Sequence, residues 1–177
     1  VLRPVEVEAP GGARARLEPA ETLSITFEIA FADSAIGRQR HALDMSNGSF
    51  VRELCDSRTF CRSADIDTMR AAGLARGGSF DNAVVVDGER VLTPGGLRHP
   101  DEPVRHKMLD ALGDLALAGA PLLGAYTGDR AGHALTNRLL RTLFATPDAV
   151  EWVECDAAME RRLPGMGVSL ADLAAVA

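Results

Sequence analysis

Lysine is nearly absent from these 177 residues: of 19 basic side chains only Lys107 is a lysine, and arginine supplies the rest. In a composition so rich in Arg, Ala, Gly and Leu, a single retained lysine hints at a place where a compact ammonium is wanted. Basic excess is also missing. Acidic residues number 25 against those 19, a formal net charge of −6, which argues against nucleic acid as the main partner because counterion release needs a basic surface. A local basic pocket for a small anion stays open. No apolar run reaches the roughly 18–20 residues of a membrane span, so no stable membrane insertion is expected. No signal-like stretch opens the sequence. Cysteine is scarce and odd in number, and Cys55, Cys61 and Cys155 stand in no zinc-knuckle spacing, so reduced thiols and a cytoplasmic location are expected.

Some motifs are lacking as well. Gly77-Gly78-Ser79 has neither the spacing nor the following lysine of a phosphate-binding P-loop, and reads better as a tight turn. No His is followed by Glu, so no glutamate is evidently placed to activate a metal-bound water.

What is present reads as one domain, with 46% apolar residues and length enough for a real core. Residues 5–8 and 13–17 flank Pro10-Gly11-Gly12 as a hairpin, and residues 23–31 alternate strictly, with 39–45 as a partner strand. Asn47 can cap a short helix through Cys55. A helix from Ser63 carrying Ile66, Met69 and Leu74 ends at Gly77-Gly78, and residues 83–92 form a hairpin around Asp87-Gly88 as a type I′ turn. Asp101-Glu102-Pro103 opens a long helix to about Ala118, a second helix covers about 132–144, and residues 150–153 resemble a closing strand. The fold class is therefore α+β: a two-layer sandwich of a mainly antiparallel sheet packed on helices, with the middle helix and hairpin reading as an inserted layer. The domain runs over 1–160 and is followed by a weakly patterned tail, 161–177.

His106, Asp110 and Asp114 follow one another at intervals of four and climb one face of the long helix, with Leu109, Leu112, Leu115 and Ala116 on the other side. A His at i and a carboxylate at i+4 can close on one metal ion, but the same pattern is also an ordinary polar helix face. A catalytic zinc wants three protein ligands, and only two are obvious here. His133, at a helix start among small neighbours, can serve as a general acid if a carboxylate such as Asp114 partners it; a plain surface hydrogen bond is the alternative. His41 and His99 have no companions and read as surface or structural residues. Phe27 and Phe31 share a strand face and read first as core.

Ser57-Arg58-Thr59-Phe60, the run 77–83, Gly96-Leu97-Arg98, the run 101–115 and Gly132-His133-Ala134-Leu135-Thr136-Asn137 stand in the order and near-identical spacing of one family. To about Trp152 the chain resembles the UDP-3-O-acyl-N-acetylglucosamine deacetylase (LpxC) family, whose reaction is the committed step of lipid A, and so lipopolysaccharide, synthesis in Gram-negative bacteria. The resemblance implies a zinc-dependent hydrolase acting on UDP-3-O-acyl-N-acetylglucosamine, with zinc as cofactor. His106 and Asp110 are implied as two of its three protein ligands, His133 as the acid that protonates the leaving amine, and Asp114 as the carboxylate that holds His133. Thr59 is implied as the oxyanion donor, Lys107 and Arg130 as residues facing the nucleotide-sugar phosphates, Phe31 as packing on the uridine and Phe60 as contacting the sugar. The insert, about 61–91, is implied to be a βαβ-like unit that walls an acyl tunnel, with Ile66, Gly78 and Ser79 as lining.

Two features depart from the family. Its third histidine ligand and its glutamate base come from a His-Glu dyad in a first domain, and this sequence has no such dyad, so it is read as the second domain with the first as its missing partner. Arg62-Ser63 stand where bulky apolar residues are usual at the tunnel entrance. An apolar stretch at 170–177 would fit a protease handle, although an untethered tail is the simpler reading. On its own the domain is expected to bind zinc weakly and to turn over negligibly. The other reading is a non-catalytic UDP-sugar-binding or interaction domain that uses the same helix structurally.

Overall fold

The computed structural model describes residues 1–46, 48–160, 163 and 164. Its strands are β1 (Val5–Glu8), β2 (Arg14–Glu18), β3 (Leu23–Phe31), β4 (Gly37–Asp44), β5 (Thr59–Arg62), β6 (Ala83–Asp87), β7 (Arg90–Val91) and β8 (Gly124–Asp129). The helices are α1 (Ile66–Ala71), α2 (Glu102–Leu115), α3 (His133–Ala145) and a single turn, α4 (Ala157–Glu160). Five strands form the main sheet in the spatial order β1-β2-β8-β3-β4, and only the β3–β8 pair is parallel. The α+β class and the mainly antiparallel sheet follow the sequence pattern.

Burial explains the two layers. Along β3 the residues Leu23, Ile25, Phe27 and Ile29 are buried while those between them are not, so one face of the sheet meets the helices and the other does not. On α2 the buried residues Val104, Met108, Ala111 and Leu115 recur at helical spacing and face this sheet. Leu109 and Leu112 were expected on that core face. They lie instead on the flank, partly buried, in an apolar groove of about 620 Å³ with Leu23, Phe50, Val51 and Leu122. From α3, Leu135, Leu139, Leu140 and Leu143 complete the core against β1 and β2.

β8 is the central strand that the sequence pattern missed. Its run Gly-Ala-Tyr-Thr-Gly-Asp has one large apolar residue and two glycines, which reads as loop. Gly128 is required there. It lies beside Phe27 in the parallel register, and a Cβ on it would fall 2.6 Å from the Phe27 ring. The absent side chain lets the Phe27 ring lie across β8, 6.3 Å between centroids from Tyr126.

The insert is a small sheet of its own, in the order β5-β6-β7, with β5 parallel to β6 and α1 between them: a βαβ unit followed by a hairpin strand. Three expectations need correction. Asp87 pairs with Arg90, so the two-residue turn is Gly88-Glu89 rather than Asp87-Gly88. Only Gly88 takes a positive φ (53°), which rules out a type I′ turn. Second, α1 stops at Ala71, because Gly73 and Ala75 both adopt positive φ (77° and 52°) and end the helical run well before Gly77. Third, residues 150–153 form no strand; Trp152 and Val153 are exposed and lie along an apolar groove with Val1, Leu2 and Phe144. The expected cap at Asn47 and, apart from residues 163 and 164, the expected tail over 161–177 lie outside the described residues. The three cysteines are free thiols, and no described helix is long and apolar enough to cross a membrane.

Candidate active site

Helix α2 carries most of the site, and its start is tied down on several sides. Pro103 occupies the first turn, and the N–H of Val104, which has no partner within the helix, donates to Gln39 Oε1 of β4 at 3.1 Å. With the axis fixed, residues 106, 110 and 114 rise along one side toward the N-terminus of α3, where His133 is the first helical residue.

Two imidazoles then converge on one carboxylate. His106 Nδ1 lies 3.1 Å from the carbonyl oxygen of Ser57, a pure acceptor, so Nδ1 bears the proton and Nε2 is turned to Asp110 Oδ1 at 3.4 Å. His133 Nδ1 lies 2.9 Å from each oxygen of Asp114, so it also donates through Nδ1, and its Nε2 points to Asp110 Oδ2 at 3.8 Å. Asp110 and Asp114 are largely buried, while the His133 side chain is 66% exposed. That exposure leaves the free nitrogen of His133 accessible to a bound molecule. Lys107 places its ammonium 2.7 Å from Asp110 Oδ2, forming an ion pair at the cleft wall.

Around this cluster lies a cleft of about 530 Å³ that brings together Phe31, Thr59, Phe60, His106, Lys107 and Asp110. Phe31 and Phe60 meet edge to face at 5.4 Å between centroids, and Phe60 meets the His106 ring edge to face at 6.3 Å. A larger adjoining cleft of about 840 Å³ runs along the insert; Ile66, Gly78 and Ser79 line it together with Thr59, Phe60 and His106. Both clefts share Cys61 and Met69, which the sequence did not single out. Burial first, and the Asp65 carboxylate second, push the Cys61 thiol up.

Arg130 is the expected site residue that the structure does not gather here. Its guanidinium is held by Asp129 at 3.0 Å and by the carbonyl of Gly12 at 2.8 Å, on the turn between β1 and β2. Its own backbone has a positive φ of 49°, an uncommon conformation for arginine, just ahead of Gly132 and His133. Below the cluster, burial pushes the Tyr126 phenol up to about 12; its bond to Thr136 Oγ1 at 2.9 Å opposes the shift and the Asp114 charge adds to it.

Sequence reasoning also missed Arg58 and Glu102. Glu102, in the first turn of α2, is fully buried, and its carboxylate accepts from the Arg58 backbone N–H at 2.9 Å, from Arg58 Nε at 2.8 Å and from the Arg98 backbone N–H at 2.7 Å. Burial alone would push this carboxyl up; the hydrogen bonds from Arg58 and Arg98 outweigh it and hold Glu102 below the usual glutamate range. A glutamate at a helix start reads as a dipole partner, and nothing local announces an arginine 44 positions away.

The donor set at His106 and Asp110 suits a metal such as zinc. It offers one imidazole nitrogen and one carboxylate oxygen side by side, with the other imidazole nitrogen hydrogen-bonded to a backbone carbonyl as metal-bound histidines require. It is two ligands and no more: among the described residues no group of three His, Cys, Asp or Glu is arranged to hold a metal ion.

The family model for UDP-3-O-acyl N-acetylglycosamine deacetylase, LpxC, matches residues 1–145. The chain is 54% identical to the UDP-3-O-acyl-N-acetylglucosamine deacetylase of Phenylobacterium zucineum over 149 residues, covering 84% of this chain and 50% of that protein. Against the protein of the same name from Anaeromyxobacter sp. it is 48% identical over 147 residues, covering 83% and 48%. Against that of Chromobacterium violaceum it is 47% identical over 147 residues, covering 82% and 48%. The chain thus spans about half the length of the curated relatives it matches. With a family match over this much of the chain, the protein belongs to the LpxC family of UDP-3-O-acyl-N-acetylglycosamine deacetylases.

Proposed function

We propose that this chain is the second domain of a zinc-dependent deacetylase that removes acetate from UDP-3-O-acyl-N-acetylglucosamine in lipid A synthesis, in the cytoplasm. One observation carries the reading: His106 and His133 are both locked through Nδ1, and both turn Nε2 to Asp110. A ring anchored through Nδ1 leaves Nε2 to bind a metal when neutral or to give up a proton when charged, and a solvated polar helix face would fix neither ring in this way.

In this reading His106 and Asp110 hold the zinc together with a third ligand from outside this chain. Bound there, zinc supplies Lewis-acid polarisation of the acetyl carbonyl and makes water a stronger nucleophile. The chain's own residues do the rest. Thr59, exposed at the junction of the two clefts, donates its hydroxyl to the carbonyl oxygen as that atom gains negative charge. His133 passes a proton from Nε2 to the amine nitrogen as the C–N bond breaks, and Asp114 stabilises the charged ring through Nδ1. Acetate and the acylated UDP-glucosamine are the products. Phe31 and Phe60 form the aromatic wall for the nucleotide sugar. The larger cleft, apolar along Ile66, Met69 and Val85, takes the acyl chain. Lys107, the one lysine, is held by Asp110 here, and would be free to turn to a substrate phosphate if that carboxylate were engaged as a metal ligand. Arg130 reaches substrate only by leaving Asp129 and Gly12.

The first domain of the family supplies the third ligand and the glutamate base in this account. The test is acetate release from UDP-3-O-acyl-N-acetylglucosamine by the full-length protein. Turnover should disappear on chelation and return with zinc, and His133→Ala should lower kcat with little change in KM. If turnover is absent while the UDP-sugar still binds, the chain is an interaction domain instead.

A further inference from the structure

The buried pair Arg58–Glu102 lies outside the catalytic roles above, yet it touches the peptide on which two of them depend. Glu102 Oε1 accepts from the Arg58 backbone N–H at 2.9 Å and from Nε at 2.8 Å, while Oε2 accepts from Arg58 Nη2 at 3.1 Å and from the Arg98 N–H at 2.7 Å. Each oxygen takes two donors, so the carboxylate is saturated and every partner must be a donor. Arg58 also donates to the carbonyls of Gly96 at 2.8 Å and Phe80 at 3.4 Å, which ties the start of β5 to the loops on either side of the β6–β7 hairpin.

Arg58 sits between the two residues that matter. On one side is Ser57, whose carbonyl takes the Nδ1 proton of His106. On the other is Thr59, the oxyanion donor of the proposed reaction. Ser57 does not hold itself in place: its hydroxyl is buried with no hydrogen-bond partner, and its N–H runs back to Leu54 O at 3.0 Å. Glu102 stands one helical turn before His106 on the same helix, so one carboxylate fixes the helix to the peptide that its own histidine must meet. Burying an ion pair is a poor route to stability, because desolvation consumes most of the Coulombic gain. Its use here is placement.

We propose that Glu102, through Arg58, is a positioning residue for the His106 tautomer and for the Thr59 hydroxyl. This rests on the zinc-deacetylase reading. The test uses the full-length protein with Glu102→Gln and the milder Arg58→Lys, with His106→Ala and the unmodified protein as references. Glu102→Gln turns an amide NH2 toward donors and lets the 57–58 peptide shift. Arg58→Lys keeps the charge and the backbone N–H but loses the fork. The expected result for Glu102→Gln is a fall of about 10- to 100-fold in zinc affinity, with a kcat loss of similar size and KM nearly unchanged. Arg58→Lys should lie between it and the unmodified protein. In metal-free protein, the hydrogen-bonded Nδ1 proton of His106, assigned by its absence in His106→Ala, should weaken or vanish from the NMR spectrum of either variant.

A lower melting temperature with zinc affinity, folded-state kcat and the His106 proton all unchanged would make the pair a folding staple and overturn the inference. If Glu102→Gln does not fold, the same readouts on Arg58→Lys decide. Should His106→Ala itself keep full zinc affinity and turnover, it is the zinc-deacetylase reading that fails.

Discussion

Nε2 of His106 faces Oδ1 of Asp110 across 3.4 Å, while Nδ1 of the same ring is committed to the Ser57 carbonyl. With Nδ1 as donor, the neutral ring presents a lone pair to an oxygen that also bears lone pairs. Such a pair calls for a cation between its members, either a proton or a metal. Zinc affinity of the full-length protein should therefore fall by more than about 10-fold in His106→Ala, measured by competition with a chromophoric chelator. Unchanged affinity would mean that the metal sits elsewhere.

His133 should behave as an acid and not as a ligand. Its ring is held by Asp114 and its free nitrogen is 3.8 Å from Asp110 Oδ2. His133→Ala is expected to lower kcat by about 10²- to 10⁴-fold, and Asp114→Asn by a smaller factor, because the ring then loses its charged partner but keeps its place. Steady-state kinetics of acetate release reads both. An effect confined to KM would assign His133 to binding.

Thr59→Val keeps the shape and removes the hydroxyl. Losing one oxyanion donor typically costs about 10²- to 10³-fold in kcat, and a loss near the lower end is expected if, as proposed, a metal shares the charge. Thr59→Ser should retain most of the rate. Equal rates for valine and threonine would remove Thr59 from the mechanism.

Acid stability should report Glu102. Its folded-state pKa lies below the unfolded value of about 4.3, so its stabilising contribution is complete above that pH and is lost as pH falls through the folded value. Asp101 acts in the same direction: burial opposes the shift, but Arg105 and His41 hold it low. Denaturation midpoints between pH 7 and 3 should fall in the acid part of that range. Glu102→Gln should be less stable at pH 7 and show a shallower acid decline. A parallel decline in both proteins would count against the assignment.

Gly128→Ala tests the packing that carries the site. A methyl 2.6 Å from the Phe27 ring forces ring or strand to move, at a cost of about 1–3 kcal/mol in urea unfolding. A change within error would show that the central strand yields easily.

How far the sequence could be read depended on the range of the signal. The 106/110/114 face was legible because helical spacing alone sets it, and β3 because alternation is local. His133 joins that face only through tertiary structure, so Asp114, 19 residues away, could be named only as a candidate partner, and the family resemblance was needed to choose that pairing over a plain surface hydrogen bond. β8 was invisible because a strand that must admit the Phe27 ring is written in glycines. The turn at Gly88 slipped by one residue because Asp-Gly signals a turn without fixing its register. Arg58 and Glu102 stand in the recognised runs, but their pairing went unmarked because each looks ordinary in its own segment.

The most direct test of the central claim is zinc content and acetate release measured on the same samples of full-length protein carrying Asp110→Ala or His133→Ala. A metal ligand and a proton donor predict a split: Asp110→Ala loses both zinc and turnover, whereas His133→Ala keeps zinc and loses turnover. Asp110→Ala that retains stoichiometric zinc, or His133→Ala that turns over at the unmodified rate, would contradict it.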